Sequence, residues 1–383
     1  MAFAVGVMAA NIYYPQPILA LLAESLGLQP DAAGLIMALT QIGYGLGVVF
    51  VIPLGDLFEN KKLILSMIFI TVVAEFVLGI SRAVTPYFIA SVFAGLGACT
   101  VQIIIPYVSH LFDKSQRGQI LGSIMSGLML GIMLSRPVSS LLTDFVSLHA
   151  VFYVSSAVML ALWWRLKYVL PERKPESANL KYFQLIWSMK DLLVKTPTIR
   201  RRAFYQSMMF GSFCVFWTTI PLMLVTDFHF TQKGIAAFAL AGLAGAIVAP
   251  FAGKAADRGH SRTASIISFA VGIISFILSH FIHEPGYLSL AILVIAANLL
   301  DAGVSAHLVL GQRAVFMIDP RNQSRSNGLY IGITYVGGAV GSAVGAWAYL
   351  HGGWQLATLI GGAMPLAALV MILTEKFFGY SEV

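Results

Sequence analysis

The chain has 383 residues, of which 58% are hydrophobic and only 11% charged, with a mean hydropathy of +0.82. A soluble domain carries about a quarter charged residues, so this composition cannot build a water-facing surface, and the solvent it fits is lipid, where helices satisfy their own backbone groups. The net charge of +7 matters by its placement, and the two cysteines, Cys99 and Cys214, lie in apolar runs, which excludes a disulfide framework and a zinc site.

A spanning helix takes about 20 mainly apolar residues. On that measure spans are expected near 2–23, 33–53, 63–80, 86–110, 118–142, 149–169, 203–225, 234–253, 263–282, 286–312, 327–350 and 354–374. Short polar breaks separate them, and one long break, 170–202, divides the chain. The expected organisation is an N-terminal six-helix bundle (1–169), a cytoplasmic linker (170–202) and a C-terminal six-helix bundle (203–383). The chain begins at once in an apolar run, with no basic n-region and no small-residue cleavage site. That reads as a sequence whose natural start lies further upstream.

In the first span, Asn11, Tyr13, Tyr14 and Gln16 are interrupted by Pro15 and Pro17. Proline frees backbone carbonyls and kinks a helix, and broken helices line the sites of transporters. Cavity lining and a plain structural kink are the two readings. The second span adds Gln41 and Tyr44 on one face, and the fourth adds Gln102. The third holds Glu75, a carboxyl at membrane depth and a candidate for proton coupling. The fifth holds Arg136, which stays protonated and must pair with an acid, with carbonyls or with an anionic substrate. Glu75, at similar depth, is one candidate partner. The same span carries Ser123, Gly127, Gly131 and Ser135 four apart, a face on which helices approach closely.

The central segment contains a basic amphipathic helix over 181–195. Tyr182, Leu185, Ile186, Met189, Leu192 and Leu193 form one face, and Lys181, Gln184, Ser188, Asp191 and Lys195 the other. It is expected to lie on the inner membrane surface.

The second half supplies Gln206, Trp217 and Thr218, then Asp301 and His307, then Asn327, Tyr330, Thr334 and Tyr335, with Gly337, Gly341 and Gly345 four apart. Together with the first half these suggest a cavity of amides and aromatic rings, suited to an amphipathic organic solute rather than a bare ion. Burial favours the neutral form of Asp301 and any cation its charged form. A carboxylate balanced so is what proton coupling needs, with His307 as a relay. A buried aspartate that only bridges helices is the competing reading.

All but three of the 24 lysines and arginines fall in alternate breaks, in the central segment and in the C-terminal tail; the exceptions are Arg82, Lys233 and Arg136. Basic residues mark the cytoplasmic side. Both termini and the linker are therefore expected in the cytoplasm.

An internal echo follows the second and eighth spans. The first copy reads Pro53-Leu-Gly-Asp56-Leu-Phe-Glu-Asn-Lys-Lys62, the second Gly253-Lys-Ala-Ala-Asp257-Arg-Gly-His-Ser-Arg262. These loops resemble the G-x-x-x-D-R-x-G-R-K signature of the major facilitator superfamily of secondary transporters. Gly253, Asp257, Arg258 and Arg262 match it. Ile52, Leu57 and Glu59 depart from it, while Asp56, Lys61 and Lys62 remain. The resemblance implies twelve helices in two bundles with pseudo-two-fold symmetry, a gating role for these loops, a monomer in the bacterial inner membrane, and no cofactor. In that family a G-x-x-x-G-P stretch in helix 5 accompanies drug:proton antiport. Here Ser135-Arg136-Pro137 stands in its place, and Ser91 stands where such antiporters carry an arginine before Gly95. Asn11 to Pro17, with Asp301 to His307, are similar to a subgroup of bacterial efflux permeases.

No G-x-x-x-x-G-K-[ST], H-E-x-x-H or G-x-S-x-G occurs, so ATP drive and the corresponding hydrolases are not expected. Nothing points to nucleic acid. The leading expectation is a proton-coupled exporter of small organic molecules. The alternatives are an importer or facilitator of an anionic metabolite, a transporter-like membrane sensor, and an intramembrane enzyme.

Overall fold

A computed structural model describes the whole chain except residues 30–31, 112–113, 175–181, 241–243, 283, 319–322 and 376–383. The side chain of Asp56, and those of 109–110, 114–119, 121, 244–246 and 323–324, are likewise outside the description. The described residues form α-helices and short helical turns, with no strand among them.

The first expected span is broken into α1 (Ala2–Ala10), a turn, a short 3₁₀ segment at Gln16–Ile18 and α2 (Leu19–Ser25). Pro15 and Pro17 lack the N–H groups that a continuous helix would use. The second span is α3 (Gly34–Leu46), which relaxes into a π turn (Gly47–Val51) and a 3₁₀ turn (Ile52–Asp56). Then come α4 (Asn60–Ile80), α5 (Val84–Ala98), α6 (Thr100–Leu111), α7 (Lys114–Phe145) and α8 (Ala150–Val169). The second half holds α9 (Tyr182–Lys195), α10 (Pro197–Thr226), α11 (Gln232–Ala239), α12 (Ala244–Asp257), α13 (Ser261–His280), α14 (Tyr287–Phe316) and α15 (Gln323–Thr374). Helix α15 folds back on itself at Gly352 and Gly353; Gly353 has φ +62°, which a side chain would oppose.

Eight spans among the described residues are long and apolar enough to cross a membrane, the last of them the doubled Arg325–Thr374. The segment at 2–25 falls short because it is divided, 232–257 is described only on either side of 241–243, and α8 carries Arg165 and Lys167 near its end. The largest boundary shift is at α10, which begins at Pro197, ahead of the expected 203, because Thr196 is extended and Pro197 is pre-shaped for a first helical turn.

Burial runs inside out, as lipid requires. On α4, Phe69, Val73, Phe76 and Ile80 are exposed at i, i+4, i+7 and i+11, while Thr71, Ala74, Glu75 and Leu78 are buried. Association in lipid rests on close packing rather than on hydrophobic expulsion, and the small-residue faces provide it. Gly127 and Gly131 of α7 lie against Ala2 and Gly6 of α1; Gly337, Gly341 and Gly345 lie against Ser207, Gly211 and Val215 of α10. The two halves repeat this scheme: α3 packs on α5 and α12 on α14, while α4 packs on α8 and α13 on α15. Between the halves α3 meets α15 along its length, and α7 meets α11.

A Cβ on Gly341 would overlap the Gly211 backbone, whereas one on Gly122 meets nothing within 4 Å. Gly341→Val is therefore expected to cost about 1–3 kcal/mol and Gly122→Val almost nothing. Thermal unfolding of the two purified variants in one detergent checks this, and equal midpoints would refute the packing role.

The amphipathic helix forms as α9, but the environment of its apolar face differs from expectation. Ile186, Met189, Leu192 and Leu193 pack with Val49, Ile199 and Leu329 of the protein body, and Leu185 beside them is buried, so this face rests on protein and not on the membrane.

Candidate functional site

A cavity of about 150 Å³ lies between the halves. Its wall from the first half includes Tyr13, Tyr44, Gln102 and Arg136; its wall from the second includes Gln206, Phe210, Phe213, Asp301, Thr334 and Tyr335. Towards the basic end the lining runs on to Met125 and Gln312. Tyr44 stacks on Tyr335 at 4.1 Å between centroids, closing one side, and its hydroxyl accepts a hydrogen bond from Gln102 Nε2 at 3.2 Å.

The charged groups meet through one tryptophan. Arg136 is 2% exposed, and its Nε donates to Gln16 Oε1 at 2.8 Å. Its guanidinium lies over the Trp217 ring at 3.9 Å and near those of Phe213 and Tyr13 at 5.3 and 5.6 Å. The Trp217 indole N–H donates to Asp301 Oδ1 at 2.8 Å. A cation on α7, an indole on α10 and a carboxylate on α14 therefore form a relay across the two halves. Arg136 has no carboxylate within ion-pair distance among the described residues, and its Nη2 has no partner. Away from the basic end, Gln16, Pro17, Trp217, Ile220, Pro221, Ile235 and Phe238 close over this relay and leave only about 10 Å³. Lys233 of α11 reaches Asp144 of α7 at 3.3 Å at that same end.

The pairing of Arg136 with Glu75 is not formed. Glu75 is buried on α4 between Ala74 and Leu78, two members of a separate apolar cluster that includes Tyr87 and Phe152, and its two oxygens are without a hydrogen bond. Equal depth on two helices said nothing about azimuth, and the helix faces diverge. His307 also turns away from the cavity: its Nδ1 is 2.7 Å from Gln206 Oε1 and its ring lies against Phe269. Gln206 does line the cavity, so the imidazole reaches it only through that amide.

Other expected lining residues brace the wall instead. Asn11 accepts from the Ser155 hydroxyl at 2.6 Å, and the backbone oxygen of Tyr14 accepts from Ser139 at 2.6 Å. Gln41 Nε2 contacts Cys214 Sγ and Ser342 Oγ at 3.2 and 3.3 Å, joining the halves behind the cavity. Tyr330 packs against Gly311, and its backbone oxygen accepts from Thr334 at 2.8 Å. Asn327 Oδ1 accepts from Gln312 at 3.4 Å.

In the echoed loops, Asp257 pairs with Arg313 of the same half at 2.8 Å, and Arg262 donates to the Ile372 carbonyl at 2.9 Å. Arg258 follows Asp257 in an exposed turn closed by Gly259, whose φ is +79°. In the first copy the side chain of Asp56 lies outside the described atoms. Glu59 caps α4 by accepting from the Lys61 and Lys62 backbone N–H groups at 2.7 and 2.9 Å, and Arg173 Nη1 donates to Asn60 Oδ1 at 2.7 Å. The departure at Glu59 is thus a cap.

Sequence reasoning missed the methionine wall of Met125, Met129 and Met133, together with Phe210 and Phe213. The signal was present: methionines at i, i+4 and i+8 on the helix that carries Arg136, offset from its glycine face.

The family model described as Major Facilitator Superfamily matches residues 1–312 and 207–379. The chain is 32% identical over 376 residues to the Uncharacterized transporter YgaY of Escherichia coli, covering 97% of this chain and 93% of that one. It is 26% identical over 183 residues to a Bicyclomycin resistance protein homolog of Haemophilus influenzae, covering 45% and 46%. Among solved structures, a POT family transporter in complex with 5-aminolevulinic acid aligns with a TM-score of 0.77 at 14% identity, covering 99% and 96%.

Proposed function

Because the chain belongs to the major facilitator superfamily and is a multi-pass membrane transporter, we propose that it exports a small amphipathic organic solute in exchange for protons. The observation that carries this reading is the Arg136–Trp217–Asp301 relay across the cavity. A charged Asp301 attracts Arg136 through the shared indole and holds the end away from the basic loops shut. A proton on Asp301, or a substrate group bound to it, removes that attraction. The carrier then changes access when loaded and stays shut when empty, which is the condition for coupled exchange. The methionine and aromatic lining accommodates varied apolar shapes, and the likeness to a bicyclomycin resistance homolog favours export.

The basic-residue bias supports an inner-membrane orientation with both termini in the cytoplasm. The cavity extends towards that side, where an exporter loads. The site is contained in one chain, consistent with a monomer, and it supports transport rather than sensing or catalysis. The two bundles are taken as 1–169 and 203–383, joined by 170–202.

One observation favours a second reading. The unpartnered Nη2 of Arg136 is a donor that an anionic metabolite would satisfy, as an importer or facilitator would require. Flux of a panel of cationic dyes, neutral antibiotics and small carboxylates into proteoliposomes, with and without an imposed pH gradient, separates the two. Gradient-driven movement of dyes or antibiotics supports exchange. Carboxylate flux indifferent to the gradient would overturn it.

A further inference from the structure

Helix α9 presents three faces, and only two are accounted for. Ile186, Met189, Leu192 and Leu193 pack on the protein body, and Gln184, Asp191 and Lys195 form a polar flank with the Asp191–Lys195 pair at 3.3 Å. The third face carries Phe183, Trp187, Lys190 and Val194 at i, i+4, i+7 and i+11. Its apolar members are 75%, 61% and 61% exposed. Lys190 Nζ lies 4.6 Å from the centre of the Trp187 ring, and the stripe holds no acidic residue. Arg200 adds a further cation at its C-terminal end, donating to the carbonyls of Leu193 and Val194.

We propose that this stripe is a docking surface for the headgroups of anionic phospholipids. The argument is charge complementarity and continuity. A tryptophan and a phenylalanine beside an exposed lysine form an interfacial anchor, apolar in body and cationic at the tip. Tyr182 donates to the Phe50 carbonyl at 2.9 Å, which sets the start of the stripe beside the exposed ring of Phe50 on the apolar outer surface. The helix therefore lies where that surface meets the headgroups, with its polar flank turned to water.

Helix α9 itself touches both halves. The Tyr182–Phe50 bond reaches the first, and Arg325 Nη1 donates to Ser188 Oγ at 2.7 Å from the second. A lipid held on the stripe thus restrains a strap across the basic end. This inference does not depend on the substrate or on proton coupling.

The test uses the full chain in nanodiscs and needs no transport. Trp187 fluorescence is isolated as the difference between the wild type and Trp187→Phe, and quenching by brominated phosphatidylglycerol is compared with brominated phosphatidylcholine at equal mole fraction. Preferential quenching by the anionic lipid is expected, approaching the roughly fivefold local enrichment of one lysine near such a surface, and Lys190→Glu should erase it. Amide exchange over 182–195 should also slow when phosphatidylglycerol is present. Equal quenching by both lipids would overturn the proposal in favour of bulk bilayer contact. No quenching would overturn it in favour of water or a protein partner, and unchanged exchange would overturn the strap.

Discussion

Asp301→Asn is expected to abolish pH-gradient-driven accumulation while leaving exchange of substrate across the membrane. The asparagine keeps the shape and still accepts the Trp217 N–H through Oδ1, so the indole stays in place. What is lost is the ability to take up a proton and to attract Arg136 when charged. A gradient of one pH unit sustains about a tenfold accumulation per coupled proton, and the variant should show none. Counterflow of labelled substrate should persist, which separates uncoupling from misfolding. Uphill accumulation by the variant would show that coupling resides elsewhere, with the unpaired Glu75 the next group to replace.

Arg136→Ala should act on the equilibrium between access states. The substitution removes a desolvated cation–π contact of about 2 kcal/mol and a charge-assisted hydrogen bond to Gln16 of about 1.5–3 kcal/mol. The stack on Trp217 joins the two halves, so its loss weakens the closure built from Gln16, Pro17, Ile220, Pro221, Ile235 and Phe238. The two terms do not add fully, and a shift of roughly a hundredfold towards opening at that end is expected. Spin labels at Asp144 and Lys233, which form an ion pair across this closure, report it as a longer distance, in a background with Cys99 and Cys214 replaced by serine. Arg136→Lys should fall between, because a lysine keeps the charge without the planar fork. Distances unchanged from the parent in Arg136→Ala would show that the closure does not depend on the guanidinium.

Much of the candidate site was legible because charge inside a membrane is rare. Arg136 and Asp301 stand out in spans with almost no other ionisable group, and the structure brings them to one cavity with Tyr13, Tyr44, Gln102 and Gln206. The uncharged polar residues were less legible. An amide in a span finds a partner as readily on a neighbouring helix as in a cavity, and Asn11, Gln41 and Asn327 did the former. The methionines escaped notice for the opposite reason, since an apolar residue in an apolar helix does not declare its face.

The sequence alone determined the solvent, the helices and their punctuation. Too few charges for water, the proline break at 15–17, the echoed loops at Asp56 and Asp257 and the glycine ladders of α7 and α15 are local or periodic signals. Each carries its meaning within a few turns of one helix. Only the tertiary structure decided partners. It separated Glu75 from Arg136, placed Trp217 between Arg136 and Asp301, and turned His307 from the cavity. Those outcomes depend on the rotation of each helix about its axis, which is fixed by glycine-scale contacts with neighbours distant in sequence. It also showed that α9 rests its apolar face on protein and presents a second, aromatic face outward. Amphipathic spacing specifies that a face will be buried, while the partner that buries it is set by where the preceding and following helices deliver the chain.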